Sequence, residues 1–157
     1  MPTSFTLDHL THPRGNADLR GPDLLLISAA IGQPLPVDLH DFLLAYSDTH
    51  LQACTYPQSA VHAAPTYILG RSDIHPNLFD ILIGPPYHEH ARVDRDWLPI
   101  AIDAATFLFV YRITGAGAGE IWLDRSTRAS ETTRTYIAGS LAEFCRGLEL
   151  KSGENIT

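Results

Sequence analysis

His88, Glu89 and His90 stand in a row, and the chain holds eight histidines in all. In an extended segment His88 and His90 would share one face, which is how a zinc site could begin. Such a site needs three or four converging ligands, and no second cluster of ligand residues is signalled. The spacing is also not the helical HExxH pattern. The other histidines, His9, His12, His40, His50, His62 and His75, are scattered. The stretch HEHARVDRD therefore reads as an exposed polar loop, and neither a metal nor a cofactor is expected.

Nucleophilic chemistry is equally unsupported. A cysteine nucleophile needs a base beside it. Cys145 instead follows Phe144 in an apolar helical stretch, and Cys54 follows a polar loop. Both read as reduced structural thiols. No serine sits in a GxSxG elbow. The run Gly115 to Gly119, GAGAG, lacks the Lys-Ser/Thr pair of a phosphate loop and has strand-like flanks. It reads as a hairpin connection. The expectation is a protein that is not an enzyme.

What remains is a scatter of carboxylates and aromatics suited to recognition. Asp48, Asp80, Glu89, Asp103, Glu120 and Asp124 fall at the ends of expected elements, while Asp94 and Asp96 alternate with Arg92 and Arg95. Trp97, Trp122, Tyr87 and Tyr111 could anchor an interface, since aromatics dominate binding hot spots. The plainer expectation puts Trp97 and one face of the Trp122 strand in the core. The candidate partner-binding set is Asp48, Asp80, Glu89, Asp94, Asp96, Glu120, Trp122 and Asp124.

The elements that must position these residues follow from periodicity and punctuation. Pro22 and Asp23 open an apolar run that Gly32 stops, with Pro34 and Pro36 beyond. Because Leu24 to Ile31 is apolar nearly all round, a short and well-buried helix is expected. A second helix starts at Pro36, with Leu39, Phe42, Leu43 and Tyr46 on one face and Asp38 and Asp41 in its first turns. Ser47, Asp48 and Thr49 are expected to end it in a polar loop. Thr66 to Leu69 suits a short strand, whereas Leu78 to Ile83 fits a strand or a short helix. LPIAID and FLFVYRI read as two strands around an Ala-Ala-Thr turn. EIWLD reads as a third, with Ile121 and Leu123 on one face and Trp122 on the other. Residues 125–134 read as a polar loop. The ending TYIAGSLAEFCRGLEL reads as an amphipathic helix with a stripe of Ile137, Leu141, Phe144 and Leu148, and KSGENIT as a fraying tail. Helices first, strands grouped later and a closing helix imply an α+β domain with a mostly antiparallel sheet.

Composition limits the partners. The 157 residues suit one domain, with its core between about residues 20 and 150, and 45% of them are hydrophobic. Eleven Lys and Arg against 18 Asp and Glu give a formal charge of −7. That balance disfavours nucleic acid and anionic membrane, which both need a basic surface, and it suits a basic protein. The opening MPTSFTLDHLTHPRG has no signal-peptide pattern, and no apolar run approaches a membrane span, so a cytoplasmic location is expected.

The segment GQPLPVDLHDFLLAYSD resembles the early motif of the SUKH superfamily, with Gly32, Leu35, Pro36, Phe42, Leu43 and Tyr46 in its places. LPIAID is similar to that family's middle strand. GEIWLD is similar to its Gly-x-Val-aromatic-x-Asp strand, through Gly119, Ile121, Trp122 and Asp124. Ala138, Ser140, Leu141, Glu143, Phe144 and Leu148 match its closing helix. The chain departs from the family in having Asp103-Ala104-Ala105-Thr106 where a glycine-containing turn is usual. The resemblance implies a bacterial immunity protein that neutralises a cognate toxin, of nuclease or deaminase type, by binding it. The alternative it implies is a regulatory or scaffold module of the same fold without a toxin partner. A small metal-dependent hydrolase using the HEH region is the remaining reading of the residues.

Overall fold

A computed structural model describes residues 7, 10, 19–70, 96–105, 107–125 and 134–150. The Leu78–Ile83 run, the HEH segment, most of the 125–134 loop and the KSGENIT tail lie outside these residues. So do Tyr87 and the site candidates Asp80, Glu89 and Asp94.

Helix α1 spans Gly21–Ile31 and has the ends its sequence specifies. The Asp23 carboxylate accepts the Arg20 N–H at 2.9 Å, which satisfies one of the donors a helix start leaves open. At the other end Gly32 adopts φ 79°, a left-handed conformation that costs glycine nothing, and its N–H reaches Ser28 O at 2.9 Å. The expectation of deep burial is corrected. Leu24, Ile27 and Ile31 pack inward, while Leu25 and Leu26 are 72% and 60% exposed. The helix lies on the surface, so only residues three and four apart can reach the core.

Helix α2, Val37–Tyr46, buries Leu39, Phe42, Leu43 and Tyr46, the face its spacing predicts. The expected loop after it holds for the turn at Ser47 and Asp48 but not for Thr49. Ser47 and Thr49 are buried, and Thr49 begins strand β1, Thr49–His50. Burial is tolerable because the hydroxyls are bonded. Ser47 Oγ accepts the Leu19 N–H at 3.2 Å, and Thr49 Oγ1 donates to Ser47 O at 3.3 Å.

The remaining strands are β2 (Cys54–Thr55), β3 (Pro65–Ile68), β4 (Trp97–Asp103), β5 (Leu108–Arg112), β6 (Ile121–Asp124), β7 (Arg134–Ala138) and β8 (Glu149–Leu150). Six of them form one antiparallel sheet in the order β1-β3-β4-β5-β6-β7, and β2 pairs with β8 beside it. The α+β architecture implied by element order is therefore present. The β4–β5 turn closes through Asp103, whose carboxylate accepts the N–H groups of Ala105 and Phe107, each at 2.9 Å. Pairing of β4 with β5 skips Ile100, so β4 carries a bulge between Pro99 and Ala101. The glycine run after β5 makes the expected hairpin connection: the Gly119 N–H reaches Arg112 O at 2.7 Å and the chain enters β6.

The C-terminal region corrects the single-helix expectation. Arg134 to Ala138 is strand β7, and helix α3 covers only Leu141–Gly147. Ser140 caps α3 by accepting the Glu143 N–H at 3.0 Å, and the Glu143 carboxylate takes the Gly139 N–H at 3.0 Å. That reciprocal cap fixes where the helix begins.

The core lies between the helices and one face of the sheet, with Phe42, Phe109 and Phe144 among its largest fully buried side chains. Tyr111 joins β5 to α2 by donating its hydroxyl to Asp38 Oδ1 at 2.8 Å. Burial, and then the hydrogen bond and charge of Asp38, push this phenol well above its usual 10.0. Once pH rises past 10.0, the unfolded chain loses the phenolic proton while the folded chain keeps it, so stability falls. Tyr111→Phe is expected to lower stability at neutral pH by about 1–2 kcal/mol. It should also flatten part of the alkaline fall. Urea denaturation at neutral and alkaline pH checks both, and an unchanged alkaline slope counts against the assignment.

A second strut ties α3 to the segment after β2. The Tyr56 ring stacks on Phe144 at 5.7 Å, and a Cβ on Gly147 would overlap that tyrosine ring. Gly147→Ala is expected to cost about 1–3 kcal/mol through overpacking. The same substitution should cost less in a Tyr56→Leu background, which thermal denaturation of the double-mutant cycle measures.

Candidate functional site

Along β4–β7, alternate side chains leave the core face and meet on the opposite one. Ile121, Leu123, Phe109, Tyr111 and Ile137 point into the core, so Trp122, Arg112 and Tyr136 point away from it. The register places Trp97 opposite Arg112, Trp122 opposite Tyr136, and Asp124 opposite Arg134.

The aromatic rings form a row. Trp97 meets Trp122 edge-on at 6.1 Å, and Trp122 meets Tyr136 edge-on at 5.7 Å. Such perpendicular pairs are each worth roughly 0.5–1.5 kcal/mol beyond area burial. Two guanidinium groups lie over the Trp97 ring, Arg134 at 4.5 Å and Arg112 at 5.4 Å from its centre. Val110 is buried beneath this face although it lies outside the main core cluster. The two tryptophans are half-buried, and Tyr136 is 46% exposed.

Carboxylates frame the row. Arg134 Nε pairs with Asp124 Oδ2 at 3.1 Å, and Glu120 Oε1 accepts the Trp122 indole N–H at 3.1 Å. Asp96 accepts the Thr114 hydroxyl, and its backbone carbonyl takes the Ile113 N–H at 2.7 Å. Arg112 Nε donates to Thr114 O at 3.0 Å, which holds that guanidinium beside Trp97.

The sequence candidates Asp96, Glu120, Trp122 and Asp124 thus lie on one structural unit. Asp48 does not join it. Asp48 stands before β1, at the other edge of the sheet, with φ 57°, and its carboxylate accepts the Tyr67 hydroxyl at 2.8 Å. A Cβ on Gly70 would overlap that carboxylate, so it is packed into the fold there. Trp97, expected in the core, is on the outer face, whereas Tyr111, a possible anchor, is 2% exposed and bonded to Asp38. Arg112, Arg134 and Tyr136 were not among the residues expected to bind a partner. The alternation of β5 could have marked Arg112 as facing the same way as Val110, but only the register shows what it meets.

Among the described residues no group of three His, Cys, Asp or Glu could hold a metal ion. His40 lies 3.4 Å from Asp41 and His50 packs against Tyr67, two separate places. Burial pushes the Cys145 thiol up to about 12, which keeps it protonated and unreactive at neutral pH. Cys54 is buried with its sulfur 3.6 Å from Pro65 O. No helix among the described residues is long and apolar enough to cross a membrane.

No family model and no curated protein matches this chain.

Proposed function

We propose that this protein is an immunity-type binder that neutralises a cognate toxin through the outer face of its sheet. The observation that carries the reading is the row of Trp97, Trp122 and Tyr136, set among arginines and carboxylates on a face away from the core. Tryptophan, tyrosine and arginine are the side chains in which binding energy concentrates, and fixed rings bind with little loss of entropy. The formal charge of −7 supports a basic partner, whose approach it would accelerate. The order of the SUKH-like segments supports the immunity reading over other binding roles.

The test is genetic and then biochemical. The neighbouring gene should encode a toxin-like domain, co-expression should rescue cells from it, and the two proteins should copurify as a complex that weakens with salt. No toxin next door and no rescue would sink the reading. Several weak partners with no toxin among them would favour a regulatory or scaffold module.

A further inference from the structure

The outer face is electrically uneven along its length. Among the described residues, the cation–π contacts fall on Trp97, where Arg112 and Arg134 already supply positive charge. The Tyr136 end is furnished differently. Glu120 lies against Trp122, with the Arg112 guanidinium also close to it beside Gly117, and the Glu143 carboxylate is held by its bond to the Gly139 N–H. Glu143 Oε2 and the Tyr136 hydroxyl come within 2.9 Å and 3.2 Å of the point where a Cβ on Gly139 would stand. The bare backbone of Gly139 thus leaves room for both groups. Partial burial, and then the charges of Glu143 and Glu120, raise the pKa of the Tyr136 phenol.

An aromatic ring flanked by two carboxylates attracts an organic cation twice over, through the ring quadrupole and through charge-assisted hydrogen bonds. A guanidinium suits this arrangement best, because it can lie flat on a ring while its edge donates to carboxylates. The site is open rather than a closed cavity, with Tyr136 46% exposed, so its natural occupant is a side chain presented by a larger surface. We propose that Tyr136, Trp122, Glu120 and Glu143 form the receptor for an arginine side chain of the protein partner. This rests on the binding role assigned above to the outer face and names the group that face takes first.

The experiment uses the full chain labelled with 15N and two capped tripeptides, Gly-Arg-Gly and its neutral citrulline counterpart. The chain has two tryptophans, so two indole N–H signals are expected, and Trp122→Phe assigns them. The arginine peptide should shift the Trp122 indole and the Gly139 amide along a saturable curve, with binding about tenfold tighter than the citrulline peptide, a step worth about 1.4 kcal/mol. Tyr136→Leu and Glu120→Gln should each weaken the arginine peptide several-fold and leave the remaining amide signals in place. Equal binding of the two peptides, shifts that spread over the acidic surface without saturating, or variants that bind as the parent does would each overturn the proposal. Its failure is separable from that of the binding role. A captured partner whose affinity ignores Tyr136→Leu and Glu120→Gln overturns the arginine receptor alone. Saturable arginine binding in a chain that captures no protein partner overturns the role alone.

Discussion

Phe109→Ala is expected to cost the domain about 3–5 kcal/mol, the range for emptying a buried aromatic site. Phe109 is fully buried in β5, a central strand with β4 and β6 on either side. Its ring lies 5.6 Å from Phe144 of α3, and Phe144 stacks in turn on Tyr56. The side chain therefore links the sheet, the closing helix and the segment after β2. Removing it withdraws the support of Phe144 as well as its own burial. Opposite it stands Ala101, which is too small to fill the space. Domains of this kind are stable by only about 5–15 kcal/mol, so the variant should sit near the edge of folding. Urea denaturation measures the loss. Phe109→Leu, which keeps most of the volume, should cost clearly less. A loss below about 1 kcal/mol for the alanine variant would mean that neighbouring side chains close the cavity.

Trp122→Ala has the largest expected effect on binding, a loss of about 2–4 kcal/mol in affinity for the captured partner. A loss of 2 kcal/mol is roughly 30-fold in the dissociation constant. Trp122 stands in the middle of the aromatic row, in edge contact with Trp97 and Tyr136, and anchors Glu120 through its indole N–H. Its removal breaks the row at its centre. Ile121 and Leu123 continue to hold β6 to the core, so folding should be affected far less than by Phe109→Ala. Calorimetric titration of variant and parent against the same partner gives the number. Leu26→Ser on α1, away from the sheet face, should leave affinity unchanged. A Trp122→Ala protein that folds and binds as tightly as the parent would move the interface elsewhere.

The sequence made the sheet's centre plain because inward and outward side chains alternate cleanly there. Ile121 and Leu123 face in and Trp122 faces out, as expected from the period of two. The C-terminal region misled for a definite reason. Ile137 belongs to a strand, yet its distance to Leu141 fits a helical stripe, so β7 was hidden inside an apparent helix. The break was written in Gly139, Ser140 and Glu143, which cap the start of a new helix in the middle of that stretch. The candidate site was legible in part. Glu120 and Asp124 stood out by position at element ends, Asp96 by its alternation with arginines, and Trp122 as an aromatic anchor. Arg112 and Arg134 escaped because their partners Trp97 and Asp124 belong to other strands, and cross-strand register is not encoded in one strand's own pattern. Leu25 and Leu26 escaped because an apolar sequence does not say which of its sides a helix will bury.

The surplus residue in β4 has a consequence for how this surface tolerates change. Before the skipped Ile100, Trp97 and Pro99 pair with the outward positions Arg112 and Val110; after it, Ala101 pairs with inward Phe109. Without the extra residue, the odd-numbered positions would stay outward along the whole strand. The bulge works as a phase joint, resetting inside and outside midway. The two halves of β4 are thereby uncoupled in parity, one assigned to the aromatic row and the other to the core and the Asp103 turn. Lengthening or shortening the Asp103 turn leaves Trp97 facing outward, whereas losing a single residue at the joint would set the two halves against each other.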